Sequence, residues 1–271
     1  MKLSGISRQV FLTIVTVVAL SPLTVILLTS LKTADDYQQH PLGMPTSPTL
    51  ENYVRAVVDL PTLRWALNSV TVTVVAVMVS GAIGALAAYA IAFGRFRGRE
   101  LLLTGSIGLI MVPPVVLLLP MFVMMVNLRL VNHLGSVILF YSCLLVPFSI
   151  FLLVNFFTSV PRELIEASTV DGAGPLRTLW SVVLPISRPA LVTVGVVNAV
   201  WAWNELLIAL VFLQDENQRT LMAGLTLLQG RYVTNQPLVL AVATLSILPV
   251  AVFYLLTQRS FVRGLTSGMG K

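Results

Sequence analysis

Pro161-Arg162-Glu163-Leu164-Ile165-Glu166-Ala167-Ser168-Thr169-Val170-Asp171-Gly172-Ala173-Gly174-Pro175 is a polar interruption in an otherwise apolar chain. What surrounds it decides the fold. An uncharged run covers 130–161 before it and another covers 189–204 after it. Further out, uncharged runs cover 9–31, 65–94, 101–128 and 232–258. A transmembrane helix needs about 20 apolar residues at ~1.5 Å each to cross ~30 Å of hydrocarbon. All but one of these runs reach that length unaided. The exception, 189–204, becomes a full span when it is continued past Glu205 to Leu213, with one acid inside it. The sequence therefore reads as an all-α integral membrane protein with six transmembrane helices, at about 9–31, 66–93, 101–126, 134–157, 189–213 and 237–258. External loops would then cover 32–65 and 214–236, with a cytoplasmic loop at 158–188 and a cytoplasmic tail at 259–271.

Composition agrees with this reading. Of 271 residues, 56% are hydrophobic and 10% are charged, against about 25% charged in soluble domains, and the mean hydropathy is +0.91. A transmembrane barrel would need alternating strands of about 10 residues with a polar inner face, which continuous apolar runs do not offer. The net charge of +6 is scattered over loops, with no dense basic patch interleaved with aromatics, so no nucleic-acid partner is expected. The basic residues report topology instead. With the N-terminus inside, Lys2, Arg8, Arg95, Arg97, Arg99, Arg162, Arg177, Arg188, Arg259, Arg263 and Lys271 are cytoplasmic, and Lys32, Arg55, Arg64, Arg129, Arg219 and Arg231 lie outside. That bias places both termini in the cytoplasm. The lone Cys143 falls in a span, which rules out an internal disulfide and supports no metal site.

Several local features qualify the spans. Lys2 and Arg8 before an apolar stretch resemble a signal peptide, but the stretch is too long and lacks a clear small-x-small cleavage site, so an uncleaved first helix is expected. Pro41, Pro45, Pro48 and Pro61 mark an external loop, with a short helix near 50–59, and Trp65 marks the membrane interface. Gly81, Ala82, Gly84, Ala85, Ala87 and Ala88 give the second span a small-residue face, suited to packing within the chain or to an intersubunit contact. Pro113, Pro114 and Pro120 should kink or break the third span, either to line a pathway or for packing alone.

Within the polar stretch, Pro161 fits a first helical turn, and Glu163 and Glu166 complement the positive end of the helix dipole. Leu164, Ile165, Ala167 and Val170 supply a short apolar stripe, and Asp171-Gly172 ends the helix with turn chemistry. Pro175 opens a second helix with Leu176, Leu179 and Val183 spaced for burial, and Pro185 and Pro189 close it. Physics alone leaves two readings open, a plain surface hairpin and a docking surface.

At this point the sequence resembles the inner-membrane permease subunits of bacterial ATP-binding-cassette importers. Their cytoplasmic loop carries E-A-A, three residues, G, nine residues and I-x-L-P. The match here is Glu166-Ala167-Ser168, Gly172 and Val182-Val183-Leu184-Pro185, with Ser168 and Val182 as conservative departures. Asn52-Tyr53, Asn68-Ser69, Trp203-Asn204-Glu205, Arg219-Thr220-Leu221 and the stretch from Gln258 to Thr266 resemble the carbohydrate-uptake branch that includes maltose-type permeases. The similarity spans nearly the whole chain.

The resemblance implies a type I importer permease fold with a cytoplasmic coupling helix between spans four and five. Glu166, Ala167, Ser168, Asp171, Gly172, Leu184 and Pro185 would couple to a cytoplasmic ATPase. The implied partners are a second, homologous permease, two ATPase subunits that bind ATP and Mg, an extracytoplasmic solute-binding protein and a sugar, with the chain sitting in a bacterial inner membrane. No P-loop is present: Lys32 precedes Thr33, but Leu31 stands where glycine is required. No catalytic residue is therefore expected in this chain.

Glu205, an acid within a span, should face a partner or water. With Asn198, Trp201 and Asn204 it is a candidate to line a carbohydrate path, because aromatics stack on sugar faces while amides and carboxylates bond hydroxyls. The alternative is that Glu205 hydrogen-bonds within the bundle. Arg219, Gln229, Arg231 and Tyr232, in the outer loop, are candidates to meet the binding protein. An importer for glycerol phosphate or a polyol is the nearest alternative function. An ion-coupled carrier using Glu205 as its proton site, or a non-transporting scaffold, stands further off.

Overall fold

The computed structural model describes residues 5–231 and 235–267, with side chains described over 8–230 and 235–258. Every regular element among them is helical. Four unbroken helices are long and apolar enough to cross a membrane: α1 (Gly5–Ser30), α4 (Thr62–Phe93), α7 (Leu134–Phe157) and α14 (Gln236–Ser267). Two bent pairs bring the count to as many as six. Short helices α2 (Ala34–Gln39) and α3 (Glu51–Val58) follow α1.

The first bent pair is α5 (Arg99–Ile110) with α6 (Pro114–Asn127), turned by 98°. Neither Pro113 nor Pro114 has an N–H to continue the α5 ladder, and Pro113 takes an extended ψ of 130°. The proline-rich third span is thus broken near its middle, as its sequence requires.

The polar stretch folds as α8 (Arg162–Val170), α9 (Pro175–Thr178), a π-helical turn (Leu179–Val183) and α10 (Leu184–Ile186). It meets α11 (Arg188–Asn204) at 82°. The apolar run read as one span to Leu213 is not one helix. α11 stops at Asn204, Glu205 is extended at ψ 124°, and a separate α12 (Leu207–Phe212) follows. The segment read as an external loop at 214–236 also carries more structure than its composition suggests, with a 3-10 turn (Glu216–Gln218) and α13 (Leu221–Arg231).

Several hydroxyls inside the apolar helices are satisfied locally. Thr13, Thr16, Thr71, Thr193 and Thr244 each donate to the carbonyl four residues back, the usual solution where no water is present. Packing centres on α4 against α7. At Gly84 an added Cβ would stand 2.5 Å from Ser149 Cβ, so this glycine sets how closely the two helices approach. Ala85 and Ala88 are buried beside it, whereas Gly81 and Ala82 face outward. Part of the small face therefore serves intrachain packing. Cys143 is exposed on α7.

Toward one end of α4 and α7, Ala88, Ile91, Leu153, Phe157, Leu179 and Val183 form a buried cluster against which Ile165 and Leu184 pack. Toward the other end, Ala56, Trp65, Trp203, Leu221, Leu228 and Val242 form a second one. A third cluster, including Phe140, Tyr141, Ile208 and Phe212, joins α4, α7 and α12. Trp65, read as an interface marker, is 1% exposed, lies against Gly224 and donates to the Glu216 carbonyl at 2.7 Å.

Candidate coupling hairpin and membrane path

The α8 hairpin is built from a sharp stop. The Gly172 N–H donates to the Thr169 carbonyl and the Ala173 N–H to the Ser168 carbonyl. With Gly172 at φ +78°, this is the paired-bond ending of a left-handed C-cap. An added Cβ at Gly172 would meet nothing within 4 Å, so the requirement there is backbone handedness rather than space.

Helix α8 shows little of its own apolar surface to the bundle. Ile165 is half-buried and Ser168 buried, while Glu163, Glu166, Ala167, Asp171 and Gly172 are exposed. Val170 is 87% exposed and Leu164 42%. The apolar stripe of α8 thus faces mainly outward. On the second arm Leu179 and Val183 are buried as their spacing suggests, but Leu176, expected inside, is 62% exposed, and Trp180 is 68% exposed. Val170 and Trp180 were not singled out as contact residues from sequence; an aromatic in a short polar insert was the available signal. Leu184 is half-buried and Pro185 exposed. Pro185 cannot donate to the carbonyl of Ser181, and the wider i→i+5 turn just before it accommodates that gap, with the Leu184 N–H reaching the Leu179 carbonyl.

Of the four residues proposed for the membrane path, Trp201 and Glu205 meet at Tyr141, while Asn198 and Asn204 bond elsewhere. Asn198 is 1% exposed and donates to Ser149 Oγ at 2.9 Å, while its Oδ1 has no partner. Trp201 stands edge-on to Tyr141, with ring centroids 5.4 Å apart. Asn204 is exposed and donates to the Val200 carbonyl. The Glu205 carboxylate accepts from Tyr141 Oη at 2.6 Å, from Ile208 N at 3.1 Å and from Ala209 N at 3.3 Å. It therefore caps α12, which is the within-bundle alternative.

An apolar cleft of about 500 Å³ opens between α4, α11 and α14, lined by Thr73, Val77, Gly195, Trp203 and Phe253 among others. Thr73 Oγ1 and Trp203 Nε1 are buried there without partners. No polar pattern in the sequence signalled it.

The segment from Asn217 to Leu221 is stitched to α4. Asn68 Nδ2 donates to the carbonyls of Asn217 and Arg219, both at 2.9 Å, and the Leu221 N–H donates to Ser69 Oγ at 2.8 Å. Two short stretches about 150 residues apart, each resembling the carbohydrate branch, thus meet in space. Asn52-Tyr53 plays a similar part. Asn52 donates to the carbonyls of Ser30 and Lys32, and the Tyr53 and Ser30 hydroxyls lie 2.6 Å apart. Lys32 is fully buried, its Nζ donating to the carbonyls of His40 and Pro41. The Thr46 N–H bonded to Asp36, together with the charge of Lys32, holds the Asp36 carboxyl below its ordinary range against the opposing effect of burial.

Of the outer candidates, Arg219 donates to the Gln214 carbonyl, with its Nε buried and unpartnered. Gln229 is exposed. Arg231 closes α13, but its side chain, like Tyr232, lies outside the described residues.

Residues 80–267 match the family described as binding-protein-dependent transport system inner membrane component. The chain is 37% identical over 262 residues, 96% of its length and 92% of the relative's, to a sulfoquinovosyl glycerol transport system permease protein of Agrobacterium fabrum. It is 34% identical over 234 residues, 84% of each chain, to a trehalose/maltose transport system permease protein of Thermococcus litoralis. Among solved structures it is similar to a chain of a bacterial ABC transporter involved in the import of the acidic polysaccharide alginate. That match has a TM-score of 0.79 and 26% identity, covering 95% of this chain and 96% of the other.

Proposed function

The chain belongs to the binding-protein-dependent transport system inner membrane components, and from that membership we propose that it is the membrane-spanning permease subunit of an ATP-driven importer for a sugar. It is a multi-pass, all-helical membrane protein with an importer-permease fold. The sugar assignment draws on the relatives' substrates, since the proteins named above serve sulfoquinovosyl glycerol, trehalose and maltose, and alginate.

In this reading the hairpin over 158–188 faces the cytoplasm and meets an ATPase subunit. The observation that carries it is the outward-facing apolar surface of the two arms. Leu164, Val170, Leu176 and Trp180 are exposed on a short polar insert beside Glu163 and Glu166. Apolar surface of that kind outside the lipid marks a protein contact. Glu166 and Asp171 then supply charged contacts, and Gly172 the turn that presents them. ATP and Mg belong to the two ATPase subunits, while a second permease completes the path. Both termini lie on the cytoplasmic side, as the distribution of Lys and Arg suggests.

The outer face receives the binding protein. Its candidates are Arg219, Gln229, Arg231 and Tyr232, around the segment held by Asn68 and Ser69. The route for solute would run past α11, with Asn198, Trp201, Asn204 and Glu205 as proposed neighbours. Of these, Asn204 is the exposed side chain.

Reconstitution with the cognate ATPase subunits and binding protein tests the function. ATP hydrolysis should rise when the binding protein is supplied with its sugar, and sugar should accumulate inside vesicles only with ATP. Uptake driven by a proton gradient without ATP would overturn the reading.

A further inference from the structure

We infer that the cleft between α4, α11 and α14 is a lipid site, which takes one acyl chain of a membrane glycerolipid together with its ester carbonyl. Val192, Gly195, Ala199 and Trp203 fall at i, i+3, i+7 and i+11, on one face of α11, and line it. A Cβ added at Gly195 would meet nothing within 4 Å, so this glycine leaves open space rather than a close helix contact. Val70, Val74 and Met78, at i, i+4 and i+8, form the wall on α4. Phe253 lines the cleft from α14. The volume of about 500 Å³ falls within the ~300–1,000 Å³ of small-molecule sites. None of the four candidates for the solute path is among the lining residues.

Two orphaned donors select the occupant. Thr73 and Trp203 line the cleft, are 8% and 7% exposed, and have no partner for Oγ1 and Nε1 among the described residues. Thr71 and Thr193, on the same helices, each donate to the carbonyl four residues back. Thr257, which also lines the cleft, donates to the Phe253 carbonyl at 2.7 Å. Thr73 therefore departs from the local solution used by its neighbours. Donors left unpaired in an apolar wall call for an acceptor carried on an apolar body. An ester carbonyl on a hydrocarbon chain meets that description. A sugar does not, because its many hydroxyls would go unpaired against valine and phenylalanine. From Trp203 to Val192 the groove runs about 16 Å at ~1.5 Å per residue, half of the ~30 Å hydrocarbon core and so the depth of one leaflet. Trp203 shares a buried cluster with Trp65, in the first turn of α4. The donors thus lie toward the end of a span, the level at which lipid esters lie, and the chain runs from there toward Gly195.

The test places the assembled importer in nanodiscs of phosphatidylcholine and phosphatidylglycerol, a fraction of which carries a diazirine on one acyl chain. Photolabelled peptides are mapped by mass. Label around Gly195 and Val74 should saturate as the probe fraction rises. Label around Val17, on the exposed face of α1, should rise in proportion to it. Gly195→Leu fills the groove and should lower the saturable label at least tenfold. Trp203→Phe keeps a ring and removes the N–H, and Thr73→Val keeps the shape and removes the hydroxyl. Each should weaken saturation roughly fivefold, the factor carried by one net hydrogen bond, while Thr73→Ser should retain it. If Gly195→Leu fails to assemble, Trp203→Phe and Thr73→Val decide. Label around Gly195 that only tracks label at Val17, label unchanged in the substituted proteins, or no label because a helix of the second permease covers the cleft overturns the inference.

Discussion

Tyr141 donates a 2.6 Å hydrogen bond to the carboxylate of Glu205, where one helix ends and another begins. The acid that a linear reading places inside the fifth span sits in the break between α11 and α12. Its remaining bonds go to the backbone of Ile208 and Ala209.

Glu205→Gln keeps an acceptor oxygen for those amides and should retain most uptake. Tyr141→Phe leaves the carboxylate with one partner fewer and should lower the stability of the purified subunit by about 1.5–3 kcal/mol, the range for bonds to charged groups. Thermal unfolding in detergent and vesicle uptake check both. Abolished uptake in Glu205→Gln with normal assembly would point back to a proton site.

Gly172 has a left-handed backbone and open space around its Cα. Gly172→Ala should therefore cost about 1–2 kcal/mol from backbone handedness alone. Gly172→Asn should cost less, because asparagine tolerates that region. Hydrogen exchange at the end of α8 reads the difference, and equal behaviour of the two variants would contradict the conformational argument.

The exposed residues of the hairpin make a separate claim. Val170→Asp and Trp180→Asp each place charge on surface that the ATPase is expected to cover. Either should weaken ATPase association at least tenfold, or about 1.4 kcal/mol, with membrane insertion unchanged. Glu166→Lys should uncouple hydrolysis from uptake. Co-purification with titrated ATPase, followed by the ratio of hydrolysis to transport, measures both effects.

In the segment after α1, the depressed Asp36 carboxyl stabilises the fold above its unfolded value of about 3.9. That stability is lost as pH falls through the lower folded value. Exchange protection at the Thr46 amide should hold from neutral pH to about pH 5 and decline below about pH 4. Asp36→Asn should remove this dependence. Lys32→Met, which deprives the His40 and Pro41 carbonyls of their donor, should loosen the same segment at every pH.

Much of this architecture was legible because lipid permits few solutions. Uncharged length marked the spans, and two adjacent prolines marked the break between α5 and α6. The second break was hidden because residues 206–213 are as apolar as any span. It comes from a side chain, Glu205, competing for backbone donors, and composition does not record such competition. In the hairpin, Leu176 shares an apolar spacing with Leu179 and Val183, but the face that packs on the bundle runs through Thr178, Leu179, Val183 and Ser187 and leaves Leu176 on the open side. The membrane-path candidates were chosen by chemistry, but Asn198 bonds Ser149 and Glu205 caps a helix, so chemical type alone did not fix their placement.

Cross-linking tests the central claim, that the α8 hairpin is the ATPase-facing input of this permease. In a Cys143→Ser background, Ala167→Cys places a thiol on the exposed face of α8, and Leu42→Cys places one on the outer segment, where Leu42 is 94% exposed. In the assembled importer, a short linker with a maleimide at one end and a photoreactive diazirine at the other should give a covalent product with the ATPase subunit from position 167 and none from position 42. No product at 167, or equal product from both positions, would contradict it.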